Sequence, residues 1–70
     1  MEGFFETTGT VTSTNKRGAI FVKKEARVRY FYDEKEYLNS MPYKGEDLEV
    51  GQAVRILVNE KNPHEITMKE

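Results

Sequence analysis

The chain has 70 residues, no cysteine, and 11 Lys and Arg against 12 Asp and Glu, for a net charge of −1. This length allows one domain, and the missing cysteine excludes disulfides, thiolate nucleophiles and thiolate metal sites. No signal peptide and no apolar run of about 18 residues is found. We therefore expect one domain over residues 1–70, located in the cytoplasm and making no contact with a membrane.

The charges are unevenly distributed along the chain. Residues 1–30 carry six Lys or Arg and three Glu, whereas residues 31–70 carry five Lys or Arg and nine Asp or Glu. Between Lys16 and Arg29 there are six basic residues and one acid. Because the local field steers a polyanion more than the total charge does, this basic run predicts an anionic partner. The alternative is a strand face that is merely solvated.

The first predicted strand runs from Phe4 to Thr14, with Phe5, Thr7 and Val11 as candidate core residues. Gly9 within it indicates a bulge or a sharp bend, of the kind that a small closed barrel requires. Residues 15–18 (Asn-Lys-Arg-Gly) are typical of a turn.

Two more strands are predicted at 19–24 and 27–32, separated by a short turn at 25–26. Their residues alternate with a period of two, so each strand has an inner and an outer face. Burial of aliphatic groups is favourable and burial of an unpaired Arg is costly, which decides the faces. The predicted inner residues are Ile20, Val22, Val28 and Tyr30. The predicted outer residues are Phe21, Lys23, Arg27, Arg29 and Phe31.

A short helix is predicted from Asp33 to Met41. Asp33 can cap it, with Glu36 completing a capping box, and the helix must end before Pro42. A loop to Gly51 follows, then strands at 52–58 and 65–69. The predicted inner residues of these last two strands are Val54, Ile56, Val58, Ile66 and Met68.

The predicted fold class is thus all-β: a small five-stranded barrel with one short helical insert between strands 3 and 4. Three segments, Gly9-Thr10-Val11, residues 18–22 (Gly-Ala-Ile-Phe-Val) and residues 48–58, resemble those of cold-shock and ribosomal S-one RNA-binding domains. The ending at residues 65–69 resembles the closing strand of the S-one domain. These families have the oligonucleotide-binding (OB) fold, which binds on the sheet face around strands 2 and 3.

The resemblance implies binding of single-stranded RNA or DNA, RNA more than DNA, with low sequence specificity. Phe21 matches a stacking aromatic of the second strand, and Arg29, Phe31 and Tyr32 fall near the binding positions of the third. The chain departs from the cold-shock pattern at residues 13 and 14, where Ser-Thr replaces a Trp-Phe pair. Ala19 and Arg17 also replace aromatic residues.

Basic and aromatic residues on one face suit single-stranded nucleic acid, because cations hold phosphates while rings stack on bases. The candidate binding residues are Lys16, Arg17, Phe21, Lys23, Arg27, Arg29, Phe31 and Tyr32. Alternatively the rings belong to the core, and the arginines pair with Glu25, Asp33 or acids of the second half. The same fold would then be a protein-interaction module that docks on a nucleoprotein or on the transcription or translation machinery.

Catalysis and metal binding have little support in the sequence. His64 is the only histidine and has no ligand-spaced partner, so we interpret it as a solvated turn residue. The acidic residues 46–49 lack the spacing of a calcium loop. We predict no catalytic residue, no metal and no cofactor.

Overall fold

The computed structural model describes residues 3–17 and 23–69, and its description of Lys16 and Arg17 is confined to their backbone. Five antiparallel strands form one sheet in the order β3-β2-β1-β4-β5, which curls into a half-barrel. The strands are β1 (Phe4–Arg17), β2 (Lys23–Tyr32), β3 (Lys35–Pro42), β4 (Ala53–Asn59) and β5 (Ile66–Met68). The predicted all-β class is confirmed.

The concave face of the curled sheet holds the hydrophobic core. In β2 and β4, buried and exposed residues alternate, as a sheet with one solvated face requires. The core residues are Val11, Ala26, Val28, Tyr30, Met41, Tyr43, Leu48, Val54, Ile56, Val58 and Ile66. Phe5, which we expected in the core, is instead 45% exposed at the open end of the sheet.

Gly9 lies where β1 packs closely against residues of its neighbour β2. A Cβ atom at this position would lie 2.3 Å from Val28 Cγ1 and 3.1 Å from the carbonyl oxygen of Arg29. The first separation is far inside van der Waals contact, so a residue with a side chain would fit here only if Val28 or the strand moved. The sequence predicts a bulge or a bend at Gly9. The structure shows a close approach between two strands at this position.

The predicted helix from Asp33 to Met41 is wrong, because this segment is the turn and second strand of a hairpin. Asp33 and Glu34 both have positive φ, at 52° and 63°, which closes a two-residue turn between β2 and β3. Inward-facing Tyr37, which is half-buried, then pairs with buried Tyr30 across the strands. Burying such inward side chains against β2 outweighs the local capping signal.

The predicted turn at 25–26 is also wrong. Glu25 and Ala26 lie within β2, where Ala26 is fully buried and pairs with Met41. The backbone of residues 15–17 continues β1 and pairs with residues 23–25, so the predicted turn at 15–18 is wrong for these three residues. Residues 18–22, with the predicted core residues Ile20 and Val22, lie outside the described part of the chain.

The loop between β4 and β5 is held to the hairpin by side-chain hydrogen bonds. The Tyr30 hydroxyl donates to the carbonyl oxygen of Pro63 at 2.5 Å, and Asn39 Nδ2 donates to the same hydroxyl at 3.0 Å. Burial raises the pKa of Tyr30, the hydrogen bond from Asn39 acting against it. The edge strands β3 and β5 also contact each other, so the curl of the sheet brings its two edges together.

Within residues 3–17 and 23–69, no helix is long and apolar enough to cross a membrane.

Candidate nucleic-acid interface

The solvated face of β2 carries a row of two arginines and a phenylalanine. Arg27, Arg29 and Phe31 point outward, whereas Val28 and Tyr30 between them are buried. Phe31 is 59% exposed. Residues two apart on a strand lie about 7 Å apart on one face, so the row is continuous. We call Arg27, Arg29 and Phe31 the open patch.

Arg27 lies at the centre of a polar depression. Across the sheet it pairs with Ser13 of β1 on one side and with Ser40 of β3 on the other. These three residues, together with Glu25, help to line a hollow of about 110 Å³. Among the residues that the structure describes, Arg27 has no ion-pair partner, so its guanidinium is available to an anion.

A β-bulge in β1 lies next to this depression. The register of β1 with β2 shifts between Val11 and Ser13, and the Thr12 hydroxyl donates to the carbonyl oxygen of Arg27 at 3.2 Å. The bulge leaves Thr12 and Ser13 both exposed. Hydroxyl groups therefore flank Arg27 in addition to its own five N–H donors.

Arg29 has one weak ionic contact. Its Nε lies 3.9 Å from Glu36 Oε1, and both side chains are about half exposed. An exposed pair at this distance contributes about 0–1 kcal/mol and leaves most of the guanidinium donors free. Leu38 pairs with Arg29 and is the diagonal neighbour of Phe31, so two exposed apolar side chains adjoin the arginine.

The other predicted binding residues are divided between three places. Lys23 is exposed at the start of β2, two positions before Glu25 on the outer face. Tyr32 is not on this face: it shares the inward side with Tyr30 and is half-buried. Phe21 and the side chains of Lys16 and Arg17 lie outside the described part of the chain.

Tyr32 packs against Phe5 at the open end of the half-barrel. The two rings meet edge to face with their centroids 5.5 Å apart. Burial raises the pKa of Tyr32, and the carboxylates of Glu60 and Asp33 raise it further. Tyr32 therefore packs against Phe5 on the inward side of the sheet and does not extend the open patch.

A second set of charges lies on the same solvated face, on β1 and β4. Glu6 forms ion pairs with both Arg55 and Lys69. The hydrogen bond from Lys69 is the main cause that lowers the pKa of Glu6, and the charge of Arg55 adds to it. We call Glu6, Arg55 and Lys69 the paired patch, because its one carboxylate satisfies two cations.

Sequence reasoning missed the environment of His64. Its ring meets the Tyr37 ring edge to face at 5.0 Å, and Nδ1 lies 3.3 Å from Asn39 Nδ2. Tyr37 in turn stacks on Tyr30 at 5.5 Å. Both contacts of His64 come from β3, the segment predicted to be a helix, so no spacing in the sequence connects them.

A comparison of the chain with protein families, with curated proteins and with solved structures finds no match. The resemblance to cold-shock and S-one domains thus stays a prediction.

Proposed function

We propose that the protein binds single-stranded nucleic acid along the open patch, RNA in preference to DNA and with low sequence specificity. One observation supports the proposal most: Arg27, Arg29 and Phe31 all point from β2 into solvent, whereas Val28 and Tyr30 between them are buried. Cations and a ring on one open sheet face are what an extended, unpaired strand needs.

In this proposal each side chain has a separate task. Arg27 and Arg29 hold phosphates, and the Ser13 and Ser40 hydroxyls beside Arg27 add hydrogen bonds to phosphate or to a ribose 2′-hydroxyl. Phe31 stacks on a base, and every base has a face to stack on, which gives little sequence preference. A strand held this way is kept from pairing, so we propose a chaperone-like or regulatory role in the cytoplasm.

The salt dependence of binding tests the electrostatic part. Log affinity should fall linearly with log salt concentration, with a slope of about −0.7 for each neutralised phosphate. Two arginines, with or without Lys23, give an expected slope of about −1.4 to −2.1. Fluorescence anisotropy of a labelled oligo-uridine at several salt concentrations measures it. Absence of binding at low salt would contradict the proposal.

Phe31→Ala tests the stacking part. A stacked base contributes about 1–3 kcal/mol, so the variant should lose at least about five-fold in affinity for the oligonucleotide while its melting temperature changes little. Phe5→Ala is the matched control, because Phe5 is also exposed but lies away from the open patch. An equal loss of affinity in both variants would show that Phe31 makes no specific contact.

One observation favours a second function, that of a protein-interaction module. Phe31 and Leu38 are adjacent and 59% and 51% exposed, and exposed apolar neighbours are typical of protein contacts. Leu38→Asn separates the two functions, because it removes apolar surface and no ring or cation. It should leave oligonucleotide affinity within two-fold. Co-sedimentation with ribosomes that survives ribonuclease and is lost in Leu38→Asn would support the module instead.

A further inference from the structure

A second concave site lies at the end of the half-barrel where β2 begins and β3 ends. It is a groove of about 660 Å³ between these strand ends and β5. Small-molecule sites in proteins are concave, mostly of about 300–1,000 Å³, with apolar walls and a few polar groups. The groove has this size, and none of its lining residues belongs to the open patch.

Four lysines and one glutamate supply the charge of the groove: Lys23, Lys24, Lys44, Lys69 and Glu25. Lys24 Nζ is held by the carbonyl oxygen of Gly45 at 2.7 Å and by Asp47 at 3.1 Å. Lys69 is engaged by Glu6. Within the described part of the chain, Lys23 and Lys44 form no ion pair, and the lining of the groove includes the carboxylate of Glu25 beside these two ammonium groups.

The wall of the groove includes Pro42, Tyr43 and Met68. Tyr43 is only 6% exposed, and its backbone N–H donates to the carbonyl oxygen of Lys24 at 3.1 Å, which fixes it behind the lysines. Its hydroxyl is buried and has no hydrogen-bond partner among the described residues. Buried hydroxyls are almost always paired, so this one retains an unused hydrogen-bonding capacity in a residue that lines the groove.

We propose that this groove binds a phosphate monoester with a planar body, a site that goes beyond the proposed strand binding and does not depend on it. The two unpaired lysines match a phosphate dianion better than a single-charged carboxylate, because ammonium groups bind phosphate as point charges. The proline ring and the thioether offer an apolar surface for a planar group. The Tyr43 hydroxyl is the remaining polar contact.

Adenosine monophosphate is the probe, compared with adenosine and with inorganic phosphate. The chain carrying ¹³C-methyl methionine reports the site directly, because Met68 lines the groove while Met41 is buried in the core. Titration should shift the methyl signal of Met68 and leave that of Met41 in place. The monophosphate should bind at least ten-fold more tightly than either adenosine or phosphate.

Two variants sharpen the titration. Lys44→Gln should weaken binding of the monophosphate at least five-fold, whereas Lys61→Gln, an exposed lysine in the β4–β5 turn, should not. Tyr43→Phe should act in opposite directions on two readouts: it removes an unpaired buried hydroxyl and so raises the melting temperature, but it weakens binding. If the hydroxyl had a purely structural role, its removal would not weaken binding of the monophosphate.

Three results would overturn the proposal. Equal affinity for adenosine or for inorganic phosphate would show that one half of the ligand is not recognised. An unchanged Met68 signal, with backbone amide signals of Phe31 and Arg29 shifting in a ¹⁵N-labelled sample, would move the mononucleotide to the open patch and would leave strand binding there intact. A Tyr43→Phe variant that binds as well as the parent chain would leave the hydroxyl without a ligand role.

Discussion

The open patch and the paired patch lie on the same solvated sheet face and each contains two cations, yet their charges are used differently. In the paired patch, Glu6 engages both Arg55 and Lys69. In the open patch, Arg29 has only Glu36 at 3.9 Å, and Arg27 has no ion pair among the described residues. The position of the Glu6 carboxylate therefore decides which of these cations already have a close partner.

The comparison shows why a count of basic residues is a poor guide to binding. A cation that already shares a carboxylate must give up that partner before it contacts phosphate, which offsets the gain. In the open patch only the weak Arg29–Glu36 contact would have to be given up, and this patch adds a ring that the paired patch lacks. On this account, binding follows the free cations and Phe31.

Gly9→Ala should have the largest effect, because it disrupts the crossing that supports both patches. The added methyl group would lie 2.3 Å from Val28 Cγ1, and overpacking of this kind costs about 1–3 kcal/mol or more. Thermal and urea unfolding should show a clear loss of stability. Thr8→Ala, next along the strand and exposed, is the control. An unchanged stability in Gly9→Ala would contradict the close packing of β1 against β2.

Removal of the arginines should separate the two patches. Arg27→Gln with Arg29→Gln should lower oligonucleotide affinity about ten-fold for each arginine, because a hydrogen bond to a charged group contributes about 1.5–3 kcal/mol. The salt slope should become shallower by about 1.4. Arg55→Gln with Lys69→Gln removes the same charge from the paired patch. Equal losses in the two double variants would mean that only net charge matters.

Glu6→Gln should convert the paired patch into a weak second binding surface. The change releases Arg55 and Lys69 and lowers the negative charge of the face by one unit. Oligonucleotide affinity at low salt should rise a few-fold, and the salt slope should become steeper by about 0.7 to 1.4. Anisotropy titrations at two salt concentrations measure both quantities. No gain in affinity would show that these two cations are too far from the path of the strand.

The ionisation of Glu6 should give a small dependence of stability on pH. Its pKa is lowered in the folded protein, by the Lys69 hydrogen bond first, so the ionised form favours folding. This contribution is fully present above the usual pKa of about 4.5 and is lost as the pH falls through the lower folded pKa. The difference in melting temperature between the parent chain and Glu6→Gln should therefore be present at pH 7 and vanish at low pH. A difference that is independent of pH would contradict the ion pairs.

The alternation of aliphatic and charged residues was enough to predict the faces of β2 and β4 from the sequence. Each buried position from Val28 to Tyr30, and from Val54 to Val58, follows from the preference of Val, Ile and Tyr for the core over Arg. The segment at 33–42 could not be predicted this way, because Asp33 suits a helix cap as well as a turn with positive φ. Only the partner strand β2 decides between them.

The candidate site shows the same division. The side chains of the open patch lie within one strand, so a period of two was sufficient to group them. Their neighbours Ser13, Glu36 and Ser40 lie on other strands. Only strand pairing brings these residues next to Arg27 and Arg29. The groove lined by Tyr43, Lys44 and Met68 likewise joins segments that are distant in sequence, and no local pattern marks it.

Backbone and arginine side-chain NMR signals, followed during titration with a short oligo-uridine, test the central claim most directly. The largest shifts should fall on the signals of Arg27, Arg29 and Phe31. The signals of Glu6 and Arg55 should change little at moderate salt. Shifts concentrated on the paired patch, or no shifts at low salt, would contradict this claim.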